Sequence, residues 1–88
     1  MKNDAIVKAI EDDNFGSFLN LLYKVDDFNK PAMNGMTPLI ASIHFDRFSM
    51  FLSLVNHKKV DKNATDKDGY DAMYHAVAQD RFVYQLSL

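Results

Sequence analysis

The side chains of this chain best able to do chemistry are three histidines, His44, His57 and His75, and two groups of carboxylates, Glu11-Asp12-Asp13 and Asp66, Asp68, Asp71. A metal centre needs several ligands converging in fixed geometry, and with no His-x-x-x-His pair only carboxylates would complete one here. Acid/base catalysis needs a carboxyl whose pKa is lifted towards neutrality. These acids have polar neighbours in turn-forming sequence, which suits helix capping and a solvated edge instead. Asp66-Lys67-Asp68-Gly69 begins like a calcium loop, but the glutamate needed six positions after the glycine is His75. There is no glycine-rich phosphate loop and no Ser-His-Asp spacing. Lys58-Lys59 is too small a basic patch for a nucleic-acid groove and suits an exposed helix end. The reading is of a protein with no catalytic residues, no metal and no cofactor, and so not an enzyme.

Composition narrows the class further. At 88 residues, a single domain over 1–88 is expected, near the lower size at which a core holds itself together. Hydrophobic residues make up 48% and charged residues 25%, the balance of a folded chain and not a disordered one. A net charge of −2 gives no pull towards nucleic acid. The absence of cysteine removes disulfides and thiolate metal sites. Apolar runs are far too short to span a membrane, and Met1-Lys2-Asn3-Asp4 leads into no signal-peptide core, so a cytoplasmic protein away from membranes is expected.

The elements are set by a repeating pattern. Asn34-Gly35 forms a turn, Thr37 offers an N-cap oxygen, and Pro38 at the first helical position costs no hydrogen bond. Apolar positions at helical spacing follow: Leu39, Ser42 and Ile43, then Phe48, Phe51, Leu52 and Val55. Only His44 to Arg47 separates them, enough for a tight reversal. The same order occurs three times. Phe15, Phe48 and Phe82 recur at intervals of 33 and 34, each preceded by a pair: Asp13-Asn14, Asp46-Arg47 and Asp80-Arg81. The helix starts Asp4-Ala5, Thr37-Pro38 and Asp71-Ala72 keep the same offsets. Expected core columns are Ile6, Leu39, Met73; Ala9, Ser42, Ala76; Ile10, Ile43, Val77; Phe18, Phe51, Gln85; and Leu19, Leu52, Leu86. Helices are expected near 4–11, 15–24, 37–44, 48–56, 71–78 and 82–87, with Asp4 capping the first.

Gly35-x-Thr37-Pro38-Leu39 and Asp61-x-Asn63-Ala64-x-Asp66-x-Asp68-Gly69 resemble the signature of an ankyrin repeat, and the period matches that family. The resemblance implies an all-α fold: an ankyrin-type solenoid of three helix-turn-helix repeats, at about 1–33, 34–67 and 68–88, joined by short β-hairpin-like fingers. Asp13, Asp46 and Asp80 stand where that family usually has glycine. Aspartate can take the left-handed conformation there or cap the second helix.

Ankyrin-like proteins are similar in binding other proteins without a cofactor, so the resemblance implies a protein partner, met by the finger tips and inner-helix faces. With the core columns set aside, the outward positions are Lys8, Glu11, Asp12; Ala41, His44, Phe45; and His75, Ala78, Gln79. Met33, Met36, Phe45 and Tyr70 are the expected apolar anchors, with His44, Lys67, His75 and Gln79 around them. At the far end, Phe82, Leu86 and Leu88 are expected to be poorly covered, and Gln85 makes part of that face polar. A homodimer through this third unit and a monomer are both open. So are two neighbouring functions, an inhibitor that occludes a target enzyme or complex and an oligomer-forming structural repeat.

Overall fold

The computed structural model describes residues 2–88; Met1, the first residue of the first expected repeat, lies outside the described residues. Six helices follow in order: α1 Lys2–Glu11, α2 Phe15–Leu22, α3 Pro38–His44, α4 Phe48–Val55, α5 Ala72–Ala78 and α6 Phe82–Ser87. Thr37 and Asp71 cap α3 and α5, accepting the N–H of Ile40 and Tyr74. α1 starts at Lys2, so Asp4 lies within its first turn and does not cap it. Its carboxylate is used elsewhere, accepting the Met33 N–H at 2.7 Å.

The reversal inside each helix pair is built identically. Asp13, Asp46 and Asp80 have φ of 55°, 60° and 55°, the left-handed conformation. Around each, the aspartate N–H bonds three residues back (Ile10, Ile43, Val77), and the next N–H bonds five residues back (Ala9, Ser42, Ala76). This is a Schellman C-cap with aspartate in the position usually held by glycine. The second helix is capped separately, and only in the first pair by a side chain: Asn14 Oδ1 accepts the Ser17 N–H.

The pairs α1–α2, α3–α4 and α5–α6 stack, with α3 packed between α1 and α5, and α4 against α6. Phe18, Phe51, Ile6, Ile10, Ile40, Ile43, Met50 and Leu54 fill the core. Rings run along it: Phe48 on Phe51 at 5.8 Å, and Tyr84 edge-on to Phe51 at 4.7 Å. The first-helix columns and Phe18, Phe51 are buried through the first two units; in the third Ala76 stays buried, while Met73 is 40% and Val77 54% exposed. The expected Leu19, Leu52, Leu86 column is not core: all three are exposed, Leu86 at 88%. Besides Phe18, Leu22, Phe51 and Leu54, the second helices bury Met50 and Tyr84, one residue before the Phe51 and Gln85 positions. Gln85 is half-buried and donates to the Ala76 carbonyl at 3.2 Å.

The described residues form no strand. The stretches 23–37 and 56–71 run instead as turns pinned by buried Val25 and Phe28 and by asparagines. Asn3 donates to the Asp27 and Lys30 carbonyls. Asn29 donates to the Lys59 carbonyl and accepts the Asp61 N–H at 2.7 Å, tying one connection to the next. Among the described residues, no helix is long and apolar enough to cross a membrane.

Candidate partner-binding surface

Two tight turns, 32–36 and 66–70, stand side by side. In the first, Ala32 N–H donates to the Met36 carbonyl at 2.8 Å and Gly35 N–H to the Ala32 carbonyl at 2.8 Å. The second repeats this, Asp66 N–H to Tyr70 and Gly69 N–H to Asp66. Gly35 and Gly69 hold φ of 90° and 92°, which a side chain would strain. Lys67 N–H donates to the Gly35 carbonyl at 3.0 Å, locking turn to turn. The Lys67 methylenes lie across Gly35 so closely that a Cβ there would come within 2.7 Å of Cδ. The Met33 N–H fixes the first turn to α1 and holds the Asp4 carboxyl below its usual range.

Asp66 organises the second turn. Its Oδ1 accepts the N–H of Asp68 and Tyr70, and its Oδ2 lies 2.7 Å from His75 Nε2 on α5. Burial alone would raise this carboxyl; the Tyr70 N–H, His75 and the Asp68 N–H together hold it below the usual range. His75 is thereby occupied inside the molecule as the clasp between turn and helix. Above it, Tyr70 and Tyr74 stack at 4.2 Å with planes 19° apart, and Tyr74 meets the His75 ring edge-on.

The expected binding residues divide into two sets. Met33 (85% exposed), Lys67 and Tyr70 gather on the adjoining turns. His44, Phe45 and Gln79 lie at the opposite ends of α3 and α5, about 10 Å away for a helix of this length. Met36 and Phe45 are only partly exposed and pack against the core, so they are not the free anchors expected; Phe45 also abuts His44 edge-on at 4.8 Å. Ala41, expected to face outward, is fully buried because α3 has a neighbour on each side. Gln79 Oε1 accepts from Arg81 Nε at 3.4 Å. Of the third-unit residues, Phe82 and Leu86 are exposed while Gln85 and Leu88 are half-buried.

Sequence reasoning missed Tyr74, Arg47, Arg81 and Tyr84. The arginines recur 34 residues apart in the pairs Asp46-Arg47 and Asp80-Arg81 that mark the period, and that recurrence is the signal for them. Tyr84 is nearly buried and donates its hydroxyl to Asp46 Oδ1 at 2.8 Å. Burial first, and then that bond, push its phenol well above the ordinary 10.0. Among the described residues, no three histidine or carboxylate side chains are grouped to hold a metal ion. No family model matches this chain, and no curated protein matches it either.

Proposed function

We propose that the protein is a non-enzymatic binding module, a short stack of ankyrin-type repeats that holds a protein partner against its turn tips and the adjoining ends of α3 and α5. The family reading rests on the 33- and 34-residue recurrence and on the same left-handed aspartate turn in each helix pair. The binding reading rests chiefly on one observation: the Tyr70–Tyr74 stack and Met33 stand exposed on backbone already fixed by hydrogen bonds. Aromatic and methionine side chains are enriched where interfaces bury most surface, and a preorganised surface loses little entropy on binding. The fingers of this module are turn pairs with hairpin-like bonding rather than extended ladders. Affinity capture from the native host, comparing wild type with Met33→Ala/Tyr70→Ala, tests the reading. A partner retained by the first and lost by the second is expected. Equal recovery of the same partners by both would reject this surface.

A further inference from the structure

Side chains in this chain repeatedly fix a turn by accepting the backbone N–H two residues ahead. Asp27 takes that of Asn29, Asn34 that of Met36, Asp61 that of Asn63 and Asp66 that of Asp68, between 2.8 and 3.1 Å. In these four the acceptor is an oxygen. After α4 it is a ring nitrogen: His57 Nδ1 accepts the Lys59 N–H at 3.1 Å, and the His57 carbonyl accepts the Val60 N–H at 3.0 Å. This closes the stretch where the second connection is one residue longer than the first, Asp27 to Asp61 being 34 positions against 33 from Leu22 to Val55. The same stretch ties the second unit to the first. Phe28, 2% exposed, sets its ring 4.7 Å from that of His57, and Asn29 bridges the Lys59 carbonyl at 3.1 Å and the Asp61 N–H at 2.7 Å. Lys59 is therefore held through its N–H by His57 and through its carbonyl by Asn29.

An imidazole accepts a hydrogen bond only at a nitrogen that carries no proton, so this contact places the His57 proton on Nε2. An imidazolium has N–H on both nitrogens, and its Nδ1 would meet the Lys59 N–H donor to donor. His75 is the opposite case, since a proton there strengthens its contact with the Asp66 carboxylate. The titratable groups around His57 are Lys58, Lys59 and Asp61 on its own connection, and Tyr23, Lys24, Asp26, Asp27 and Lys30 on the one packed against it. The Asp27 carboxylate accepts the Asn29 N–H and that of Asp61 the Asn63 N–H, while α2 and α4 bring no charged residue. The adjacent Lys58 and Lys59 put two like charges beside a cationic ring. We propose that His57 is an acid-released latch, which while neutral fixes the 56–61 connection and its tie to the first unit and, on taking a proton, releases Lys59. The freed stretch leads directly into Asp61 and the second tight turn.

Nuclear magnetic resonance of the intact chain tests this. At about pH 8 the ring-nitrogen spectrum should show His57 protonated on Nε2 alone. Protection of the Lys59 amide against exchange, taken relative to an unstructured peptide at the same pH, should fall by about fivefold or more at about pH 5, as one hydrogen bond is lost. The Asn29, Met36 and Asp68 amides, held on oxygen, should keep theirs. His57→Asn puts an amide oxygen in the same place, as in the Asn34 turn, and should hold Lys59 equally at both pH values. His57→Phe keeps a ring against Phe28 without an acceptor and should leave the Lys59 amide unprotected at both. A ring proton on Nδ1, a His57 ring still neutral at about pH 5, or Lys59 protection unchanged once that ring is charged overturns the proposal. So does an acid-dependent loss of the same size in His57→Asn. None of these readings involves Met33 or Tyr70, so this test and that of the turn-tip surface fail independently.

Discussion

Aspartates in this chain meet three different circumstances: Asp80 and Asp46 both stand at positive φ, and Asp66 is the acceptor of a tight turn. Left-handed backbone costs a residue with a Cβ about 1 kcal/mol or more. At Asp80 nothing in the described structure offsets that cost. Asp80→Gly should therefore raise stability by up to about 1 kcal/mol, after the extra entropy of glycine in the unfolded chain is set against it. Asp46 is different, because it accepts the Tyr84 hydroxyl and faces Arg81. Asp46→Gly should lower stability on balance, since a nearly buried hydroxyl loses its acceptor at about 1–3 kcal/mol, against up to about 1 kcal/mol of relieved strain. Urea melts of the two variants give opposite signs on this account. Asp66 makes a pH-dependent contribution. Its folded pKa lies below the ordinary 3.8, so the stabilisation is fully present above that value and is lost as pH falls through the lower folded value. Comparing Asp66→Asn with wild type by thermal melting across the acid range should show a wild-type advantage at neutral pH that vanishes in acid.

At the scale of elements, much was legible from caps and periodicity. Thr37-Pro38 and Asp71-Ala72 mark the starts of α3 and α5 because their side chains and fixed φ act locally. Helix ends fall within two residues of those expected. What sequence could not carry was which flank of a helix a neighbour would cover. Leu19, Leu52 and Leu86 share a periodic position, yet that position lies outside the stack, while Met50 and Tyr84 are buried in it. Both rows fit a helical stripe, and only packing between units separates them. Asp4 misled for a related reason: its capping chemistry is real but acts on the distant Met33 N–H. Phe51 was placed correctly, fully buried in the middle unit between Phe48 and Tyr84. Phe51→Ala should cost about 3–5 kcal/mol, a large part of the stability of so small a chain, read as a loss of the cooperative thermal transition or a large fall in its midpoint.

For the whole molecule, the period was legible and the surface only partly so. The 33- and 34-residue spacing placed the two turns in register, and their tips carry Met33, Lys67 and Tyr70 as anticipated. Met36 and Phe45 fall back against the core because residues beside a packed helix end are drawn into it, a consequence that composition does not reveal. Tyr74 joins the surface instead, since its stack on Tyr70 depends on α5 following the second turn directly. On the proposed function, this face, and not the backs of α2 and α4, meets a protein partner. Amide hydrogen exchange of the chain with and without the captured partner tests it most directly. New protection concentrated at residues 32–36 and 66–74 is expected. Protection confined to α2 and α4, with those two turns exchanging as in the free protein, would contradict it.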